Sequence, residues 1–595
     1  MTDTFHFSPR PNRAGEINWR EWGDEAFREA QEAGKPLLLS LSAVWCHWCH
    51  VMDETSYSNE GVISYINQHY VPVRVDNDQR PDINARYNMG GWPTTAFLTP
   101  DGEILAGGTY IPPDQMLEVL PKVYVYFVNN RDEIGQKAGE LREKRAEAMA
   151  PVRGQVDSQI VEKIIGAIGG QYDPMYGGFG EAPKFPHTDA LDLLLYAHRK
   201  TKDPDVLHMA RKTLEFMAAG EVYDHEWGGF FRYATRRDWS EPHYEKMLED
   251  NAGLLRNLLA LYRITNQPEH AMVAKGVIDY VRWKLRDKGH GYFYGSQDAD
   301  EKFYKLPKAE REGREEPYID PTCYTSWNGM MISAFLEASW TLDDRQAKDE
   351  ALTALRFLLE NLRKDGVMYR YRLHGGPQVP GLLADQAFTS RTLLDAAEVT
   401  GDPKYLDDAA VLAELIVDRF KNGEVGGFFD VWDEGEGTGR LKDRQMSLQD
   451  NACAVEVLQR LAHLTRGDRW QGSAKAALEA FTTTYGQMGH FAAGYGKQVD
   501  LMLNPPVEVN IVGDGAVEGL HRAAIGLDAP ARVVQVISPA DTERLAALAL
   551  PGQPAPAAYV CAGAMCSAPV TEPDRLPEIV RDMQMGPRII ELPGD

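Results

Sequence analysis

The sequence predicts a multidomain chain of class α/β plus all-α. An α/β domain spans 1–150, a ring of helical hairpins 151–505, and a small α/β appendage 506–595. Three observations carry this division. Short apolar runs alternate with helical spacing near the N-terminus, long amphipathic helices separated by Gly-aromatic turns fill the middle, and β-branched runs return in the tail. A chain of 595 residues also exceeds what one hydrophobic core supports.

The first domain is read in order. "INWREWGDEAFREAQEAGK" places Trp19, Trp22, Phe27 and Ala30 at helical spacing and stops at Gly34. "KPLLLSLSAVW" is a short apolar run after Pro36 and predicts a buried strand, followed by a helix that starts at the CxxC. "HYVPVRVDND" predicts a second buried strand. "TTAFLTPDGEIL" predicts a hairpin turning at Pro100-Asp101-Gly102, and "PPDQMLEVLPKVYVYFVNN" a closing helix. Helix, strand, CxxC helix, strand, hairpin, helix is the order a thioredoxin fold requires.

The chemistry of "SLSAVWCHWCHVM" follows from its place between strand and helix. Cys46 falls at a helix N-terminus, where free amides and the positive dipole end stabilise a thiolate. Cys49 lies one turn on, placed to resolve a mixed disulfide. His47, between them, adds positive charge or a donor and favours the reduced thiolate. A structural dithiol and half of a zinc site are the bland alternatives. The second needs another ligand pair, and His47 and His50 stand too close in sequence to complete a tetrahedron with both thiols. No metal and no cofactor are called for.

Composition narrows the partners. Apolar content of 43% and charged content of 25% are those of a soluble globular protein. A net charge of −25 repels phosphate backbones, so no nucleic acid partner is expected. No apolar run approaches the ~18 residues that span a bilayer, so no membrane partner is expected either. The start "MTDTFHFSPRPNRAGE" lacks a basic stretch followed by an apolar one, and six cysteines are few, which together predict a cytoplasmic protein. Cys323 and Cys453 stand in apolar helical runs as small buried hydrophobes. Cys561 and Cys566 lie within reach of one another across a loop; simple packing with one exposed thiol is the expectation, a second redox pair the alternative.

In the middle domain the turns repeat: "YGGFGEAPKF", "WGGFFRYAT", "GHGYFYGSQDAD", "VMYRYRLHGG" and "VGGFFDVWDE". Asp250-Asn251, Asn328, Asp385 and Asp450-Asn451 each precede an apolar helical run, at intervals of roughly 55–80 residues, the signature of stacked helical hairpins. About twelve helical runs predict six hairpins closed as an (α/α)6 barrel. Singly, each Asp or Asn reads as an N-cap. Together they ring one mouth beside aromatic turns, an arrangement suited to a carbohydrate. "RYATRRDWSEPHYEKMLEDN" adds Arg232, Trp239, His243 and Glu245, and "QDADE" adds Asp298 and Asp300. Glu245, Asp250, Asp298, Asp300 and His243 offer acids and bases for hydrolysis or epimerisation, with His187 a further histidine.

The runs "KPLLLSLSAVWCHWCHVM", "VPVRVDNDQRPDI" and "GGWPTTAFLTPDG", with "GGFGEAPKFP", "WSEPHYEKMLEDNAGLL", "QDADE", "SWNGMMISAF" and "PAAYVC" further on, resemble the YyaL and spermatogenesis-associated protein 20 family. That resemblance covers most of the chain. It implies a thioredoxin-like domain fused to a six-hairpin glycosidase-like barrel related to sugar 2-epimerases of the N-acylglucosamine type. It also implies a cis proline facing the CxxC, for which Pro93 after Trp92 in "GGWPTT" is the candidate. Thioredoxins often carry a buried Asp six residues before the first cysteine; here that residue is Ser40.

The sequence thus predicts a thiol–disulfide oxidoreductase acting through Cys46, Cys49, His47, Trp92 and Pro93 on a protein or small-molecule disulfide or thiol, coupled to a carbohydrate-binding or carbohydrate-modifying barrel. The competing readings are a sugar epimerase, isomerase or glycoside hydrolase with a non-redox lid, and a non-enzymatic scaffold or holdase.

Overall fold

The computed structural model describes residues 5–148, 152–432, 437–552, 556–563 and 565–585. The chain forms two compact units: 1–150 with 296–324 and 431–445, and 151–295 with 325–430 and 446–595.

The first unit contains α1 (Asp24–Ala33), β1 (Leu37–Ser42), α2 (His47–Glu54), α3 (Glu60–His69), β2 (Val71–Asp76), α4 (Pro81–Tyr87), β3 (Thr94–Leu98), β4 (Ile104–Gly108), α5 (Pro113–Asn129) and α6 (Arg131–Ala148). Its sheet has the order β2-β1-β3-β4, with β1 parallel to β2 and antiparallel to β3. Every residue of β1 is buried because helices cover both faces. Leu37, Leu39 and Leu41 pack with Phe27 and Ile83, while Leu38 packs with Met52, Ile66 and Leu120. This is a thioredoxin-like domain.

Segments 296–324 and 431–445, read from the sequence as part of the middle domain, belong to this unit. The first adds two short helices, α12 (Glu301–Tyr304) and α13 (Lys308–Arg311). The second is anchored by Arg440, whose guanidinium lies 3.1 Å from Glu103 and whose amide donates to the Tyr87 hydroxyl. At the β3–β4 turn Gly102 has φ +87°, and a Cβ there would come within 2.5 Å of the Gly439 backbone.

The second unit contributes, among the described residues, the twelve long helices that the repeat predicts. The inner six are α8 (Thr188–Thr201), α10 (Leu248–Thr265), α14 (Thr325–Thr341), α16 (Leu383–Thr400), α18 (Leu448–Thr465) and α20 (Ala493–Leu503). Each packs on the next and α20 returns to α8, closing the ring. Outside them α9 (Pro204–Ala219), α11 (Pro268–Lys284), α15 (Arg345–Asn361), α17 (Pro403–Arg419) and α19 (Asp468–Glu479) pair with their predecessors, and α7 (Ser158–Gln171) pairs with α20. The result is an (α/α)6 barrel. The inner helices are buried on nearly all sides because outer helices and ring neighbours enclose them.

The tail pairs strand Val507–Val512 parallel to Arg532–Ile537 and antiparallel to Ala557–Ala562, around Val509, Ile511, Leu520, Val534 and Val560. Cys561 and Cys566 face one another on adjacent strands and are joined as a disulfide, so the expectation of simple packing with an exposed thiol is corrected. The pairing follows from their opposed register, with Cα atoms 4.0 Å apart. Cys323 and Cys453 are free and buried. Among the described residues no helix is long and apolar enough to cross a membrane.

Candidate functional site

The dithiol sits where β1 hands over to α2. Cys46 is the N-cap of α2, in extended backbone conformation, and its Sγ accepts from the Cys49 amide at 3.2 Å. The two cysteines are bonded to each other, with Cα atoms 5.2 Å apart. His47 and Trp48 are exposed at the helix start. The Trp92–Pro93 peptide is cis, and the Trp92 ring meets the Trp45 ring edge-on at 5.7 Å. Trp45 is itself fixed by Asp78, whose Oδ2 accepts from the indole at 2.6 Å. The sequence reading passed over Asp78; its only local sign was an acidic end to a buried strand.

The surroundings of the dithiol are rich in buried titratable groups. His50 is buried, with Nε2 2.9 Å from the Val44 carbonyl and Nδ1 3.6 Å from Asp298 Oδ2. Burial first, and His6 beside it, lowers the imidazole to about 4, so His50 is neutral at physiological pH. Ser40 is buried on β1 opposite Arg74 and Thr95 of the flanking strands. Arg74 is held by a bidentate pair with Asp53, both at 2.9 Å. Asp76, at the end of β2, is pushed well up by burial and by the neighbouring Asp78 and Asp320.

Asp298 and Asp300 were expected at the barrel mouth. Both lie in segment 296–324 of the first unit. Asp298 faces His50, and Asp300 caps α12 by accepting from the Phe303 amide at 3.0 Å. The long connection between α11 and α14 folds back onto the thioredoxin-like unit, which spacing along the chain does not encode.

In the barrel, the expected Asp and Asn residues occupy the first turns of inner helices, but they are not N-caps. Met247, Leu382 and Ser447 hold the cap positions of α10, α16 and α18. Asn251, Asn328 and Asn451 instead clamp backbone: each accepts from and donates to one phenylalanine, Phe230, Phe293 and Phe428 respectively. Gln386, absent from the sequence reading, does the same to Met368. Trp239 is fully buried, donating to the Tyr176 carbonyl beneath the Lys184 ammonium, so it is a core residue rather than a rim aromatic.

The carboxylates one residue before these clamps are different in kind. Burial pushes Asp385 up to about 7 and both Asp250 and Asp450 up to about 6. Arg370, also missed by the sequence reading, bridges Ser326 Oγ at 2.6 Å and Asp385 Oδ1 at 3.4 Å. Asp450 opposes the charge of Asp385, and Arg370 favours both. Nearby in sequence, His243 stacks on Tyr233 at 4.4 Å and sets Nδ1 3.5 Å from Glu245. Tyr233 stacks in turn on Phe185 and lies under the Arg232 guanidinium. His187 is held at about 4 by burial and stands against His490, ring centroids 4.1 Å apart. Asp250, Asp385 and Asp450 can exchange protons near neutrality, and Tyr233 and His243 present ring faces.

Farther down the barrel axis, ion pairs such as Lys497–Asp192 and Arg460–Asp395 cross the interior. Beside the Lys497–Asp192 pair the inner helices leave a cavity of about 110 Å³. That is smaller than the ~300–1,000 Å³ of common ligand pockets.

Residues 10–145 match the Thioredox_DsbH family model, described as a protein of unknown function, DUF255. Human spermatogenesis-associated protein 20 is 26% identical to this chain over 716 residues, covering 95% of this chain and 90% of the relative. Thioredoxin H5 of Oryza sativa subsp. japonica is 32% identical over 111 residues, 18% of this chain and 76% of that protein. The crystal structure of a sugar epimerase from a ruminal bacterium superposes with a TM-score of 0.48 at 14% identity, covering 58% of this chain and 98% of that one. The chain therefore resembles, along most of its length, the YyaL and spermatogenesis-associated protein 20 family, with a thioredoxin-like domain at its N-terminus.

Proposed function

We propose that this protein is a cytosolic thiol–disulfide oxidoreductase whose thioredoxin-like site is coupled to a carbohydrate-binding barrel. The observation that carries the redox reading is the bonded Cys46–Cys49 pair at the start of α2. In the reduced protein the Cys46 thiolate attacks a substrate disulfide and releases one substrate thiol. Cys49, losing its proton, then attacks Cys46 Sγ and releases the second. The substrate disulfide gains two electrons and two protons, and the protein keeps the Cys46–Cys49 bond.

The test is alkylation of the reduced, folded protein at neutral pH. Cys46 should react faster than an ordinary thiol, and Cys46→Ser should abolish reduction of a disulfide substrate such as insulin. A Cys46 that alkylates no faster than a free cysteine sinks the redox reading.

A second reading has its own support. Asp385 and Asp450 near Arg370, and Asp250 near Arg232, are raised toward neutrality by burial and suit acid–base chemistry on a sugar. Incubation with mannose or an N-acylglucosamine in D2O, followed by NMR, would show deuterium entering at the carbon beside the carbonyl. Exchange that persists in Cys46→Ser but vanishes in Asp385→Asn would favour the epimerase reading, with the thioredoxin-like unit idle. If neither assay responds, the scaffold reading is left.

A further inference from the structure

One cavity of the barrel unit lies at the opposite end of the inner helices from the Asp/Asn first turns. It measures about 220 Å³, where the C-terminal halves of the inner helices meet residues 529–533 at the entry to strand Arg532–Ile537. Its wall gathers Arg199 of α8, Arg263 of α10 and Arg532 of the tail around Trp340 of α14. The Arg263 and Arg532 guanidinium carbons stand 4.7 and 4.9 Å from the Trp340 ring centroid. A tryptophan held by two guanidiniums is a rigid wall with charged, planar donors on it.

Carboxylates line the cavity too, but they are engaged: Asp192 pairs with Lys497 and Asp395 with Arg460, each at 2.6 Å, and Arg532 also donates to the Ile525 carbonyl. Glu337 serves Arg256 at 3.1 Å and Arg263 at 2.9 Å, and Glu398 lies 3.4 Å from both Arg460 and Arg532. Arg199 has Asp528, whose side chain is 70% exposed. Among the described residues the Nε–H of Arg199, Arg263 and Arg532 is buried without a hydrogen-bond partner. Side-chain exposure is only 9% for Arg199 and 10% for Arg532, so solvent does little for them. Each guanidinium has five N–H donors, and an unmet buried donor costs about 1–3 kcal/mol. Burial and mutual repulsion also lower Arg263, to about 10, and Arg532. Three clustered cations with spare donors and room between them fit one occupant: an anion with several acceptor oxygens.

We propose that this cavity binds a phosphoryl oxyanion, free or as the monoester of a compact sugar, between Arg199, Arg263 and Arg532. The site lies within the barrel unit, involves none of the residues of the thiol reading, and stands or falls separately from it. The cavity is below the ~300 Å³ of drug-sized pockets, which favours a phosphate or a small phosphate ester over a nucleotide.

The test is calorimetric titration of the full chain with inorganic phosphate, glucose 6-phosphate and glucose. Saturable binding of phosphate and its ester supports the site and identifies the free oxyanion as sufficient. Binding of the ester alone supports it with a sugar phosphate as the ligand. Arg199→Gln should weaken binding at least about tenfold, the loss of one charge-assisted hydrogen bond. This variant strands only the exposed Asp528. If it fails to fold, Arg532→Lys keeps the charge, loses the planar fork and should weaken binding in the same sense. Cys46→Ser should bind as tightly as the parent. Absence of saturable binding to either phosphate, equal binding of glucose, or unchanged affinity in the folded variant would overturn the proposal.

Discussion

Asn251 holds Phe230 by both backbone groups: Oδ1 accepts from the Phe230 amide at 2.7 Å and Nδ2 donates to its carbonyl at 3.0 Å. A third bond, from Nδ2 to the Met247 carbonyl at 2.9 Å, ties the same side chain to the helix start. The bond set recurs at Asn451 with Phe428 and Ser447, and at Gln386 with Met368 and Leu382. One amide therefore fixes a turn to the helix that follows it, hairpin after hairpin.

Asn251→Ala should strand a buried amide and a buried carbonyl at once, at about 1–3 kcal/mol for each group left without a partner. Urea denaturation gives the magnitude. Faster hydrogen exchange at Phe230, with α14 unchanged, would place the loss in this turn.

The buried lysines of the same turns make a sharper pair. Lys246 donates to Asp224 at 2.7 Å and to the Gly228 carbonyl at 2.8 Å, and Lys184 donates to Asp173 at 2.6 Å in the equivalent place. Asp173 has a second cation, Arg237, at 2.8 Å. Lys246→Met should cost about 3–5 kcal/mol, as breaking a buried pair does, while Lys184→Met should cost less because Arg237 remains. Adding Asp224→Leu to Lys246→Met should recover part of the loss. Melting temperatures of the four proteins check the order.

These contrasts explain what the sequence made legible. Cys46, Cys49 and the strand before them were readable because the chemistry is local: strand, turn and helix are consecutive. The twelve-helix barrel was readable because the hairpins repeat. Asn251 was misread as a cap because its partner, Phe230, is 21 residues away across a turn. The pairing of Asp298 with His50 left no local sign because the two residues lie more than two hundred positions apart in the chain. Arg370 and Gln386 announced nothing: single polar residues in a strand and a helix acquire their meaning only from Ser326, Asp385 and Met368.

Asp385 predicts a pH signature. Its native carboxyl is pushed up to about 7 from an ordinary 3.8, with Arg370 opposing and Asp450 adding to the shift. Between those values the folded state binds a proton that the unfolded state has released. Stability contributed by this residue is thus present below pH 4 and lost as pH rises to 7. The span corresponds to a few kcal/mol at about 1.4 per unit. In Asp385→Asn that decline should flatten, read from hydrogen exchange in α16 between pH 4 and 8.

His50 predicts the opposite slope in the thioredoxin-like unit. Its native imidazole is lowered to about 4 from 6.5, so on acidification the unfolded chain takes up a proton before the folded one does. Stability is therefore lost as pH falls from 6.5 to 4, by on the order of 3 kcal/mol. His50→Gln keeps a donor for the Val44 carbonyl, bonded at 2.9 Å in the parent, and removes the titration. Hydrogen exchange at Leu39, in the buried strand before the dithiol, should accelerate below pH 6 in the parent and much less in the variant. An equal acceleration in both would assign the acid sensitivity to His6, which stacks on Tyr318 and is also lowered by burial.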